Sequence, residues 1–311
     1  YSHGARVYIL YNTIQPAPGG WFIFIEWTIL HMLDFTFHNP TKIVFGQTAM
    51  QQLGTLARTY GTKILLTAGG GSIRKHGIYQ KVMAQLQGCE VREFWGIEPN
   101  PRVETLQKAA DLCKAFKPDL ILAVGGGSTI DGSKLIASAA HYEGNAWDLV
   151  IQKIHPKPIP LAAVLTLSAT GSEMNRGGVI TNWETKEKLG YFNDACYPVF
   201  SILDPQNTFS VPPDQTAYGI VDTFSHVIEQ YLNKAVSSPL QDRFAESILL
   251  TVIENAPRVL RDPENYEARA NLMWCSTLAL NGLIGAGVPG DWATHRLEHE
   301  LSAFYDIPHA A

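Results

Sequence analysis

The chain is poor in cysteine and in charge. Its 311 residues hold four cysteines, Cys89, Cys113, Cys196 and Cys275, and no two form a C-x-x-C pair. That excludes a disulfide scaffold and a cysteine-based zinc cluster, and predicts free thiols in a reducing, cytoplasmic setting. Charged residues make up 17% and the net charge is −5, so no basic field attracts nucleic acid. No apolar run reaches the roughly 20 residues of a spanning helix. The most apolar stretch, Trp21–Leu33, is shorter and contains Glu26. It also lacks the basic flank and small-residue cleavage site of a secretory signal. The pattern of a soluble protein begins near Met32, so residues 1–31 read as a foreign or mistranslated extension without a motif. A membrane- or partner-binding segment is the alternative. Internal repeats and low-complexity runs are missing too.

What is present is ordinary globular composition, 46% hydrophobic, enough for one large core or two domains. Phe35–Gly46 reads as two short strands around Asn39-Pro40. Lys63–Thr67, Cys89–Trp95, Leu120–Val124 and Leu161–Leu165 read as strands, with helices at 49–60, 78–87, 103–116 and 130–140 between them. This alternation predicts an α/β domain with a mostly parallel sheet covered on both faces. Strand signals vanish after about Thr208. Helices are predicted at 213–232, 238–260, 264–284 and 290–304, an all-helical second domain. The expected division is therefore 1–31, 32–208 and 209–311.

Two glycine strings stand at the ends of strands. Gly125, Gly126, Gly127 and Ser128 follow one buried strand and open a helix, where backbone N–H groups and the helix dipole suit a pyrophosphate. The spacing is neither that of a P-loop nor G-x-G-x-x-G. Gly69, Gly70, Gly71 and Ser72 end the earlier strand, the natural place for an adenine ribose. An acid there would hold the 2′-hydroxyl of NAD; none follows. Ser72, Arg74 and Lys75 would instead suit the 2′-phosphate of NADP(H), although Arg74 and Lys75 could equally be a solvated turn. Thr166–Asn175 is dense in hydroxyls that could hold a nicotinamide ribose or merely cap a helix.

Gly219–Tyr231 is the most telling helix. Asp222 and His226 lie four apart, one above the other on a single face, surrounded by Ile220, Val221, Phe224, Val227 and Ile228. The pair is either an internal hydrogen bond or half of a cation site. Lone histidines such as His38 and His76 read as structural.

Taken together, Gly125–Lys134, Ala169–Glu173, Gly219–Asp222 with His226, and Asp291-Trp-Ala-Thr-His295 with His299 and His309 resemble the iron-containing (group III) alcohol dehydrogenase family, on the butanol dehydrogenase and NADPH-dependent aldehyde reductase side. The resemblance runs from about Met32 onward. It implies a divalent metal, Fe(II) or Zn(II), held by Asp222, His226, His295 and His309. It implies His299 beside the nicotinamide and substrate as the catalytic residue. It places Asp131, Lys134, Thr170, Ser172 and Lys188 at the cofactor, and Thr208, Phe209 and Pro212 on the wall between domains. Trp183, Phe192 or Trp292 could shape an apolar pocket. The implied activity is NADP(H)-linked interconversion of small aldehydes and primary alcohols, and a homodimer is the expected assembly.

Members of that family continue past the third histidine with further helices, so this chain reads as C-terminally truncated. His309 is then the ligand expected to be most at risk, and Leu249, Val252, Leu272, Leu278 and Leu283 are expected to lose cover, so the 311-residue form is expected to bind cofactor but to hold metal poorly and reduce aldehydes weakly or not at all. Two rival readings remain: an inactive fragment that binds only nucleotide, and a metal-dependent lyase of the dehydroquinate synthase kind. The lyase would need a basic pocket for an acidic, phosphorylated substrate.

Overall fold

The computed structural model describes residues 31–232, 236–290 and 292–311. Residues 1–30 of the expected extension 1–31, Asp291 of the histidine motif, and the junction at 233–235 lie outside the described residues. Six strands form one sheet: β1 (Lys42–Phe45), β2 (Lys63–Ala68), β3 (Glu90–Trp95), β4 (Leu120–Gly125), β5 (Leu161–Leu165) and β8 (Phe200–Leu203). Their order is β1-β8-β5-β4-β2-β3, and every pair is parallel. Strands β6 (Gly177–Asn182) and β7 (Glu187–Phe192) form a separate antiparallel hairpin.

The central strands are apolar on both sides because both sheet faces are covered. Successive side chains alternate between faces. Leu65, Ile121, Ala123, Ala163, Leu165 and Leu203 enter one core. Ile64, Leu66, Leu122, Val124, Val164 and Ile202 enter the other. Each large aliphatic side chain so buried contributes about 1.5–3 kcal/mol.

The helices among the strands are α1 (Leu53–Arg58), α2 (Ser72–Lys75), α3 (Ile78–Gln85), α4 (Val103–Phe116), α5 (Gly127–Ala139) and α6 (Ala146–Ile151). Helix α4 has the predicted bounds. Val103, Leu106, Ala110 and Cys113 recur at three- and four-residue spacing, and all are buried. Helix α5 is buried almost all round, since α4 and the β6–β7 hairpin both pack against it.

Beyond Leu203 the described residues contain no further named strand. Helices α7 (Pro213–Tyr231), α8 (Pro239–Arg261), α9 (Tyr266–Ala279) and α10 (Ala293–Tyr305) follow. A third core of Val227, Ile248, Val252, Val259, Leu272 and Cys275 binds α7, α8 and α9. The predicted α/β-then-helical order is thus observed, with three corrections. Phe35–Gly46 forms one strand, β1, and not two; Phe35 and Phe37 are exposed and make no ladder. The hairpin and β8 add strands that the sequence pattern did not reveal. The aliphatic side chains expected to lose cover do so only in part: Val252 and Leu272 are buried, whereas Leu249, Leu278 and Leu283 are partly buried. The exposed apolar side chains of the helical part include Leu240, Leu250, Ile253 and Leu260 on α8 and Leu297, Leu301 and Phe304 on α10.

Candidate active site

Strand β2 has β3 on one side and β4 on the other, so the chain reverses its direction of travel across the sheet between β2 and β4. Ligands of open α/β sheets bind beyond the carboxyl ends of strands at such a point. Both glycine strings stand there. Gly69, Gly70, Gly71 and Ser72 leave β2, and Gly125, Gly126, Gly127 and Ser128 leave β4; all eight line one cleft of about 480 Å³. Thr170 lines it from the loop after β5, and Asp222 and His309 from the helical part.

The floor of the site is α7. Asp222 and His226 both point inward and are buried. Gly219 allows this approach. A Cβ there would lie 2.3 Å from the Ser168 carbonyl oxygen, so α7 could not otherwise come so close to the loop after β5. Neither oxygen of Asp222 has a hydrogen-bonding partner, although the residue is only 2% exposed. Three imidazole nitrogens nonetheless converge on its Oδ1: His309 Nε2 at 3.1 Å, His226 Nδ1 at 3.4 Å and His295 Nε2 at 3.5 Å. A buried, unbonded carboxylate is costly. A cation between these atoms would remove that cost, and one oxygen with imidazoles is a donor set for Fe(II) or Zn(II). The residues fit a divalent metal. Ligand atoms of Asp222, His295 and His309 already lie within 4.8 Å of one another. His226 stands beside them, its ring stacked on His295 at 4.4 Å, its Nδ1 buried and unbonded.

Charge in the cluster is unevenly shared. Burial pushes the Asp222 carboxyl up, but the imidazoles, His226 first, more than reverse this and hold it below the ordinary range. Burial pushes His226 down to about 4. It opposes protonation of His309 too, yet the carboxylates of Asp222 and Glu298 leave that imidazole raised to about 9. His299, 6.0 Å ring to ring from His309 and 6.4 Å from His295, is pushed down to about 3 by burial and then by the Lys188 ammonium. Its Nε2 is buried and has no hydrogen-bonding partner.

Three site residues escaped the sequence reading. Glu229, one turn beyond His226 on α7, accepts a hydrogen bond from His295 Nδ1 and another from the Thr294 amide at 2.5 Å. Its spacing from Asp222, seven residues, was the available signal. Glu298 accepts from His309 Nδ1 at 2.6 Å. His76, read as structural, lines the cleft beside Ser72 and Lys75.

Other expectations land elsewhere. Lys134 is fully buried and donates to Ser172 O and Oγ, Asn175 Oδ1 and Gly177 O at 2.5–2.8 Å. Asp131 accepts from Ser172 Oγ at 2.5 Å and from the Val179 amide at 2.9 Å. Asp131, Lys134 and Ser172 therefore form a buried clasp between α5 and the hairpin, off the cleft lining. Lys188 faces Glu298. Arg74 stacks on Trp95 at 3.8 Å and donates to Glu93 at 2.8 Å, which leaves Ser72 and Lys75 at the cleft. Pro212 lines the cleft, while Thr208 is buried off it. Of the three aromatics, Trp292 alone meets the site, edge-on to His226 and His295. Trp183 lies under Arg102 and Lys186, and Phe192 is exposed.

Comparison with known proteins bears on this geometry. The family model described as iron-containing alcohol dehydrogenase matches residues 40–205, and that of the family's C-terminal part matches 216–311. A probable NADH-dependent butanol dehydrogenase of Bacillus subtilis is 53% identical over 90% of this chain and 73% of its own. An NADPH-dependent aldehyde reductase of Escherichia coli, YqhD, is 49% identical over 90% and 73%. The solved structure of YqhD superposes with a TM-score of 0.88 at 48% identity, covering 90% of this chain and 73% of that one. An NADH-dependent butanol dehydrogenase of Thermotoga maritima gives 0.87 at 44%, covering 90% and 72%. Two glycine loops at one switch point, a histidine-ringed aspartate below them and relatives matched along both halves have a single explanation: the chain belongs to the iron-containing alcohol dehydrogenase family.

Proposed function

We propose that this chain is a metal-dependent, NADP(H)-linked alcohol dehydrogenase that works as an aldehyde reductase on small aldehydes and primary alcohols. The observation that carries this reading is the unbonded Asp222 carboxylate, ringed by imidazoles and open to the same cleft as the glycine loops. When bound, a nicotinamide supplies or takes the hydride and a divalent cation supplies Lewis acidity at the substrate oxygen. Asp222, His226, His295 and His309 would hold the cation. The glycine loops leave room for the pyrophosphate, and Ser72 and Lys75 stand where a 2′-phosphate would be read. Leu167, Val211, Pro212 and Tyr218 give the cleft apolar wall for a short alkyl chain. His299 moves the proton. Its imidazole is neutral at pH 7, so it passes a solvent proton across its two nitrogens.

Two observations favour this over a lyase acting on acidic substrates. Among the described residues the only lysine or arginine lining the cleft is Lys75, too little cationic charge for a phosphorylated acid. Named relatives on both sides of the cofactor choice are dehydrogenases or reductases. The deciding experiment measures bound metal and the butyraldehyde-dependent oxidation of NADPH and NADH by the purified chain. Metal with faster NADPH oxidation is expected. Nucleotide binding with neither metal nor turnover would favour the inactive-fragment reading.

A further inference from the structure

Lys188 and Glu298 lie 110 residues apart, on β7 and α10. Their side chains are 3% and 18% exposed, so this is no surface ion pair. Lys188 Nζ stands 3.3 Å from both carboxylate oxygens. One of those oxygens also accepts a hydrogen bond from His309 Nδ1 at 2.6 Å, and the other accepts from Ser302 Oγ. With Nδ1 turned to Glu298, Nε2 is the nitrogen left to face a cation, and it stands 3.1 Å from Asp222 Oδ1. His309 sits in a turn after α10 with no helix to orient it, and Glu298 holds its ring from the Nδ1 side.

We propose that Glu298 is a positioning residue that presents His309 Nε2 to the metal, and that Lys188 holds Glu298 from the β6–β7 hairpin. This rests on the metal site proposed above. The geometry supports it, since Lys188 Nζ reaches both oxygens of Glu298 while one of them meets His309 Nδ1. Carboxylates behind ligating histidines fix ring and tautomer, and their loss weakens metal binding about 10–100-fold. Glu229 of α7 behind His295 of α10 offers the same device within the helical part. Glu298 differs in linking the helical part to the strand-bearing part through Lys188.

The test is zinc affinity, read by competition with a chromophoric chelator, alongside NADPH binding by protein fluorescence, in the 311-residue chain. Glu298→Ala should raise the zinc Kd about 10–100-fold and leave NADPH binding unchanged. Glu298→Gln keeps an oxygen for His309 Nδ1–H and should recover most of that loss, which a purely structural role would not produce. Lys188→Met should raise the zinc Kd by less, and adding it to Glu298→Ala should cost nothing further. The absorption bands of the Co(II)-loaded protein should shift in Glu298→Ala and stay close to wild type in Glu298→Gln. An unchanged zinc Kd in Glu298→Ala, with binding lost in Asp222→Ala, would overturn the inference and leave the metal site standing. An unchanged zinc Kd in Lys188→Met would show that Glu298 needs no hold from the hairpin. Zinc binding that survives Asp222→Ala would overturn the site itself.

Discussion

Asp222 is where charge is least balanced by hydrogen bonds. Its oxygens are buried and unbonded, and the nitrogens around it converge without saturating it. A residue so placed gains most from a cation and loses the site when removed. Asp222→Ala and His226→Ala should each bring bound metal to background in elemental analysis, with the far-UV spectrum unchanged. Retained metal in either would show that the ligands lie elsewhere. The cysteines give a second residue-level expectation. Burial pushes Cys113 up to about 12 and Cys275 up to about 11, and raises Cys196. The thiolate is the reactive form, so at pH 8 these three should be silent. Cys89, half-buried, should alone react with a disulfide reagent in the native protein, and all four after unfolding in urea. A second fast native thiol would contradict the packing of the cores.

Among the elements, α5 shows how a motif and its placement part company. Gly125 to Lys134 could be recognised as a nucleotide-side string, and its first three glycines do line the cleft. About two turns on, the helix dives under the hairpin, and Lys134 meets only protein acceptors. Asp131 and Glu173 are buried nearby and balance its charge. Breaking a buried charged network by removing one partner costs about 3–5 kcal/mol. Lys134→Met should therefore lower stability to urea by about that much and leave the Kd for NADPH near wild type. A large loss of NADPH affinity at unchanged stability would mean that Lys134 serves the cofactor directly. The hairpin itself was hard to foresee. Gly177, Gly178 and Gly190 interrupt its strands, and glycine reads as loop. Strand β8 was missed because four residues bounded by turns carry little periodicity.

For the molecule as a whole, the open choice is the cofactor. The relatives carry both NADH- and NADPH-dependent names. The cleft near α2 presents Ser72 and Lys75 and no carboxylate, so NADPH should give the higher kcat/KM. An aspartate at Gly71 would test this poorly, because φ there is +108° and any side chain would be strained. At Gly70 a side chain would meet open space and a backbone without the left-handed strain. Gly70→Asp should repel the 2′-phosphate and move the NADPH-to-NADH ratio about tenfold toward NADH, a change of about 1.4 kcal/mol. An unmoved ratio would place the 2′ position elsewhere.

The sequence by itself determined what is local or periodic. Apolar runs ending in glycine gave β2 and β4, three- and four-residue spacing gave α4, and four-residue spacing put Asp222 and His226 on one face of α7. These follow from backbone geometry within a few residues and need no distant partner. Tertiary structure decided everything joined across the chain. It set Glu229 behind His295 and Glu298 behind His309, took Lys188 to Glu298 across 110 residues, and spent Arg74 on Glu93 instead of the cleft. Spacing along the chain holds no record of such pairs, because a long side chain takes whichever charge the packed cores bring within reach.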